Sequence, residues 1–258
     1  MAESEDYNAE NEDYKRRGGE TEITGDDVAG DEGLLEIEIP AARYGDGKVA
    51  TAQDSDLIAG NIKKDVVIFG VTGTIEPATL TAGTFYPAVD KDDGYWYLTY
   101  FYNDTESYLA LGNNWNGGCK TYVRFPNVTI PQGSDILCAR LTFTAQIGHD
   151  DDIEIKIAGN DIDDAIAPTN ATTGNALTLT TAEKEWNITE DWVLNSQYES
   201  PDIKAVIQEI VDREGFESGN AILLLISDNG SKTGNDQQAW PVDYDEGSKK
   251  PELYIIWE

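Results

Sequence analysis

The chain has 258 residues, and its 49 Asp and Glu against 18 Lys and Arg leave a net charge of −31. A surface so negative repels phosphate backbones and anionic lipid headgroups, which excludes nucleic acid and membrane surfaces as expected partners and favours cations and basic protein surfaces. With 40 % hydrophobic and 10 % aromatic residues there is enough apolar material for a packed core, although the acidity by itself also serves solubility.

Residues 1–33 hold twelve acidic side chains against Lys15, Arg16 and Arg17 and few large apolar ones, so they are expected to form an acidic extended arm. The first residues, Met1 to Asp6, show neither a basic nor an apolar export region, and synthesis in a cytoplasm is expected. Residues 34–40 alternate apolar and acidic positions and stop at Pro40, the pattern of a short strand whose Leu35, Ile37 and Ile39 need a partner surface. Residues 66–71 are apolar in both alternation phases and are punctuated by Gly70 and Gly73. Such a strand must be covered on both faces, which a segment of this length cannot do alone. Residues 34–79 are therefore expected to attach the chain to something else. The candidate interface is Leu35, Ile37, Ile39, Leu57, Ile58, Ile62, Val67, Ile68, Phe69 and Val71.

From residue 80 to 258 the pattern predicts an all-β domain, a jelly-roll-type antiparallel sandwich with one amphipathic helix. Strands are expected at 81–86, 95–102, 108–111, 121–130, 136–147, 153–158, 176–180, 221–227 and 252–257, separated by Gly, Asn and Asp clusters. The helix is predicted over 200–216, with Ser200 as its N-cap, Pro201 following and Ile203, Val206, Ile207, Ile210 and Val211 on one stripe. Cys119 shares a strand face with Val123 and Phe125, whereas Cys138 falls opposite the apolar face of its own strand. The two thiols are not expected to bridge unless a bulge reorients one of them.

Two resemblances add to this. In residues 57–74, Ala59-Gly-Asn-Ile-Lys-Lys64, Ile68-Phe-Gly-Val71 and Gly73-Thr74 resemble a run found repeatedly in phage tail-fibre and other virion structural proteins, with Asp65 where glycine is usual. The blocks Ala110-Leu-Gly, 122–136, Ala139-Arg-Leu-Thr-Phe, 200–221 and Lys250-Pro-Glu-Leu-Tyr-Ile resemble jelly-roll domains of the DNRLRE type, which are related to carbohydrate-binding modules. The first resemblance implies a place on a virion surface, as a head decoration, head fibre or tail fibre. The second implies a fold more than a ligand.

The chemistry is mostly negative for catalysis. One histidine, His149, sits in a turn-like Gly-His-Asp-Asp-Asp, and no nucleophile elbow or phosphate-binding glycine loop occurs, so no enzyme is expected. Carboxylate pairs at glycosidase spacing will arise by chance among so many acids, which keeps a polysaccharide depolymerase as the remote alternative. Asp90, Asp92 and Asp93, and Asp150, Asp151 and Asp152, are candidate ligands for Ca²⁺, the one cofactor the sequence brings forward, although neither run has EF-hand spacing. Trp115 and Trp240, flanked by Asn, Gly and Gln, are candidates for stacking on sugar rings of a host-surface glycan. The expected partners are capsid or tail proteins of the same virion and further copies of the chain, with a trimer as the expected homo-oligomer.

Overall fold

In the computed structural model the backbone of residues 28–31, 34–39 and 48–53 is described, together with residues 55–76, 79–102, 107–244 and 247–258. The chain divides into two units, Met1–Ala78 and Thr79–Glu258.

In the N-terminal unit, β1 (Val28–Asp31), β2 (Leu34–Ile39) and β3 (Lys48–Gln53) form an antiparallel sheet in that order. The strand expected from the apolar and acidic alternation is β2, with Ile37 opposite Ala50 and Val28. β1 falls inside the stretch read as an extended arm, because Val28-Ala-Gly pairs with the strand that follows even though its own sequence has no alternation. Residues 1–27 of that arm lie outside the described residues. Further on, β4 (Val67–Ile68) and β5 (Val71–Thr72) form a tight hairpin whose turn residues, Phe69 and Gly70, have φ of 50° and 87°. Positive φ at both central residues matches the twist of antiparallel strands, a conformation that glycine adopts freely and phenylalanine rarely.

The C-terminal unit is an antiparallel β-sandwich, as the turn-punctuated pattern predicts. One layer runs in the order β14 (Leu179–Ile188), β13 (Ile153–Asn160), β16 (Ile222–Asp228), β11 (Lys120–Phe125), β7 (Asp93–Tyr97) and β8 (Tyr100–Tyr102). The other begins as β15 (Gln197–Glu199), β12 (Ile136–Thr144), β18 (Glu252–Trp257) and β6 (Thr81–Phe85). Past Thr142 the edge of β12 that carried β18 passes to β17 (Asn235–Ala239): Trp240 N–H donates to the Thr144 carbonyl at 2.9 Å and Gln146 N–H to that of Gln238 at 2.8 Å. β17 in turn pairs with β9 (Leu109–Asn114), and β9 with the short β10 (Gly117–Gly118).

Alternating side chains of both layers fill the space between them. Val123 and Phe125, Ile153, Ile155 and Ile157, and Ile222, Leu224 and Ile226 meet Leu141 and Phe143, Leu253 and Ile255, and Leu109 and Leu111. Each such side chain taken fully out of water contributes roughly 1.5–3 kcal/mol. The outer face of the six-stranded layer is covered too, since Trp96, Tyr122, Leu223 and Leu225 pack against Ala165 and Ala171, the latter in the short helix α1 (Ala171–Asn175).

The predicted helix is real but shorter: α2 spans Lys204–Val211. Ser200 is not its cap, because the Ser200 hydroxyl accepts from Leu141 N–H at 3.0 Å and its N–H donates to the Leu141 carbonyl at 2.8 Å. Asp202 Oδ1 accepts from Ala139 N–H and Lys204 N–H, both at 3.0 Å, so residues 200–203 extend the pairing along β12 before the helix starts. The expected stripe of Val206, Ile207, Ile210 and Val211 is buried in the main core. Residues 95–102, expected as one strand, are two, turning at Leu98 with φ 52°. Both cysteines are free, Cys119 buried and Cys138 half-buried.

Candidate functional site

Two surfaces stand out, one in each unit. In the N-terminal unit, residues 57–75 fold on themselves: Gly73 N–H donates to Val66 O at 2.8 Å, Ile75 N–H to Ile62 O at 3.0 Å and Thr74 N–H to Ala59 O at 2.9 Å. Gly73 is required there, because a Cβ would stand 2.2–2.5 Å from the carbonyls of Ile62 and Lys63. This closure buries Ile62 and Val71 and half-buries Leu57 and Ile58. It leaves Val66, Val67, Ile68 and Phe69 exposed in an unbroken run, with Val67 at 59 % and Phe69 at 51 %. Of the predicted interface, Val67, Ile68 and Phe69 thus form one open apolar tip, while Ile62 and Val71 serve the unit's own packing. Leu35, Ile37 and Ile39 lie on β2, whose side chains fall outside the described residues.

In the sandwich, Trp115 stands at the tip of the β9–β10 hairpin with 82 % of its surface exposed. The hairpin is fixed by Asn114, whose Oδ1 accepts from Asn116 N–H at 2.9 Å. The loop after β16 comes up beside it, joined by Gly234 N–H to Asn113 O at 2.8 Å and by Asn113 Nδ2 to Ser231 O at 3.3 Å. At Gly234, where φ is +92°, a Cβ would come within 2.8 Å of the indole, so a glycine lets that loop lie against the ring. The result is an exposed indole lying against Gly234, on a hairpin whose neighbouring residues are Asn113, Asn114 and Asn116. The sequence singled out Trp115 but gave no sign of Gly234, which is 119 positions away along the chain.

Trp240 is placed differently. It is 8 % exposed, stacks on Tyr244 with ring centroids 4.3 Å apart, lies under the Lys249 ammonium and donates its Nε1–H to Asn195 Oδ1 at 3.1 Å. A ring so engaged packs the domain and has no open face for a sugar.

The two acidic runs also separate. Asp92 spends both oxygens on the protein, Oδ2 accepting from Ala88 and Val89 N–H and Oδ1 from Arg124 at 2.7 Å. Asp90 is exposed, and Asp93 is wholly buried, with Oδ2 accepting from Val242 N–H at 2.8 Å and Oδ1 unpartnered. Burial, and after it the charges of Asp243, Asp92 and Asp90, push the Asp93 carboxyl well above the usual carboxylate range. In the second run Asp150 and Asp152 are exposed, while Asp151 turns towards His149 and β17. Neither run gathers its three acids as one calcium cage.

The solvent face of the β15-β12-β18-β6 sheet carries a polar hollow of about 480 Å³ lined by Thr84, Thr142, Gln197, Glu199, Glu252 and Tyr254. Glu199 is held there by Arg140 at 2.6 Å. Among the described residues no helix is long and apolar enough to cross a membrane.

No family model matches the chain, and no curated protein matches it either. Among solved structures, TmCBM61 in complex with β-1,4-galactotriose aligns over 69 % of this chain and 86 % of that one, at 11 % identity and a TM-score of 0.23. The Mud crab tombus-like virus structure aligns over 74 % and 86 %, at 12 % identity and a TM-score of 0.24. The chain is weakly similar in shape to a carbohydrate-binding module and to a virus, and its sandwich fold rests on its own strands.

Proposed function

We propose that the chain is a non-enzymatic structural protein of a virion surface, of head-decoration, head-fibre or tail-fibre type, attached through its N-terminal unit and displaying the sandwich. One observation carries this reading: Val66, Val67, Ile68 and Phe69 form a continuous exposed apolar tip on a hairpin closed by the unit's own hydrogen bonds. A soluble protein that presents consecutive large apolar side chains on a fixed turn is built to bury them against a partner. The partners in this reading are capsid or tail proteins and further copies of the chain, with a trimer expected. The strong negative charge steers the chain towards basic surfaces during assembly. The test is incorporation: the full chain and a Val67→Asp/Phe69→Asp variant are produced in the cells that make the particles, and copy number is measured in gradient-purified particles. The reading expects the wild type at a fixed stoichiometry and the variant at less than a tenth of it. Equal incorporation removes it.

A second reading, a carbohydrate-binding module for host or environmental glycans, is favoured by the 82 % exposure of Trp115. A flat ring presented among amide side chains suits the apolar face and hydroxyls of a neutral sugar. Glycan-array screening of the full chain tests it. Binding that disappears in Trp115→Ala supports it, and an array blank for both proteins rejects it.

A further inference from the structure

The polar hollow on the sandwich opens beside a sheet edge that neither surface above uses. We infer that β6 and this hollow together form a docking site for an extended segment of a partner protein, carrying lysine or arginine at alternate positions, which joins the sheet as a further strand. β6 ends the order β15-β12-β18-β6, and among the described residues no strand pairs with its other side. Its sequence, Thr-Ala-Gly-Thr-Phe, holds no charge and no proline, and it pairs with β18 without a register shift. Thr81, Ala82 and Thr84 are exposed.

An edge of this kind is a template for another chain, and folded proteins block the edges they do not use with charges, proline, bulges, shortness or a cover. The other edges of the six- and four-stranded sheets are blocked in these ways. β15 and β8 are only three residues long. β14 carries Glu183, Lys184 and Glu185, and Glu209 on α2 accepts from its Thr181 and Ala182 N–H groups at 2.7 and 2.8 Å. β6 has none of these devices, so it is the edge left fit for pairing.

The hollow fixes the side chains that the guest must bring. It exists because short side chains stand between long ones: Thr142 lies in register between Glu199 and Glu252, and Thr84 lies beside Tyr254. Of the two carboxylates, Glu199 is held by Arg140 at 2.6 Å. Glu252 accepts from Gln197 Nε2 at 3.3 Å, while Lys250 lies over the Tyr86 ring at 5.1 Å. A strand laid beside β6 turns the residue opposite Thr84 to the same face, two strand spacings or about 10 Å from β18. Only the short Thr84 side chain stands between them. A lysine or arginine there extends over Thr84 and past the exposed Tyr254 ring towards Glu252. Main-chain hydrogen bonds along β6 supply the affinity, and the alternate basic side chains supply the selection. An acidic segment is repelled by Glu252 and by the net charge of −31.

The probe is a capped peptide alternating valine with lysine, offered in excess to the full chain. Its controls are the same peptide N-methylated at every peptide bond, which cannot donate, and a peptide with glutamate in place of lysine. Hydrogen exchange reads the β6 amides turned away from β18. These are expected to gain at least tenfold protection with the lysine peptide and none with either control. Binding is expected to weaken about threefold in E252Q, the scale of one exposed ion pair, and to vanish in T84K, which sets a cation at the mouth of the hollow. No protection by the lysine peptide, equal protection by the glutamate peptide, or undiminished binding in T84K each overturn the proposal. So does protection of β6 that rises with protein concentration in the absence of peptide, which would make a second copy of the chain the occupant. Should T84K fail to fold, E252Q and the glutamate peptide decide. The apolar tip is read separately, by particle incorporation, so either reading can fall alone.

Discussion

Asp93 sits where a charge is least welcome: fully buried at the start of β7, with one oxygen on Val242 N–H and the other on nothing. Its carboxyl is pushed well above the usual range, first by burial and then by neighbouring acids. A folded-state value above the unfolded one means that the folded chain holds the extra proton through the window between them. The contribution of Asp93 is therefore whole below the unfolded value and is lost as pH rises through the folded one. Asp93→Asn, which keeps an acceptor for Val242 and removes the charge, is expected to raise stability at pH 7.5 by about 1–3 kcal/mol and to leave it nearly unchanged at pH 3.5. Urea unfolding at the two pH values checks this, and an equal gain at both contradicts it. The thiols offer a second prediction. Burial pushes Cys119 up to about 12, and its Sγ is shielded from solvent. An aromatic disulfide reagent at pH 8 is expected to label one thiol per native chain, at Cys138, and two in denaturant. Two in the native chain would show that Cys119 is open.

At the scale of elements, periodicity predicted what it is able to carry. The stripe of α2 and strands such as β18, found at Glu252–Trp257 as expected, were legible because one face of each meets the core. β17, Asn-Asp-Gln-Gln-Ala, was illegible, since only Gln237 and Ala239 turn inward and the strand exists through its pairing with β9. The start of α2 was misplaced because Ser200 and Asp202, good capping residues by type, are taken by β12. Hydrogen-bond competition of that kind leaves no mark in a single segment. Ile207, fully buried on α2, is expected to cost about 2–5 kcal/mol when changed to Ala, whereas Glu214 on the exposed surface is expected to cost under about 0.5 kcal/mol. Denaturant midpoints measure both, and equal effects would mean that the stripe does not anchor the helix. The hairpin of residues 66–72 was half legible: its apolarity on both faces announced a need for cover, but the closure through Gly73 that buries Val71 and bares Val67 to Phe69 depends on contacts with Ile62 and Lys63.

Across the whole molecule, the fold class is more legible in the sequence than the site. The all-β sandwich was readable from the turn chemistry that punctuates its strands, and the chain divides after Ala78. The candidate site was not readable in the same way, because Trp115 and Gly234 lie far apart in the chain. The net charge of −31 also implies self-repulsion within the folded chain. Raising NaCl from 20 to 300 mM is expected to increase the unfolding temperature by several degrees, as screening shortens the reach of those charges from about 20 Å to about 6 Å. A flat or falling curve would show that repulsion is already relieved within the fold.

The central claim is that the apolar tip at Val67, Ile68 and Phe69 exists to be covered by another protein surface. Hydrogen exchange of the full chain, free and in purified particles, addresses it most directly. The account predicts that amides of residues 64–75 become protected by at least tenfold in the particle, while those of the sandwich strands stay as they are. Unchanged exchange across 64–75 in a chain that is nevertheless particle-bound would contradict it.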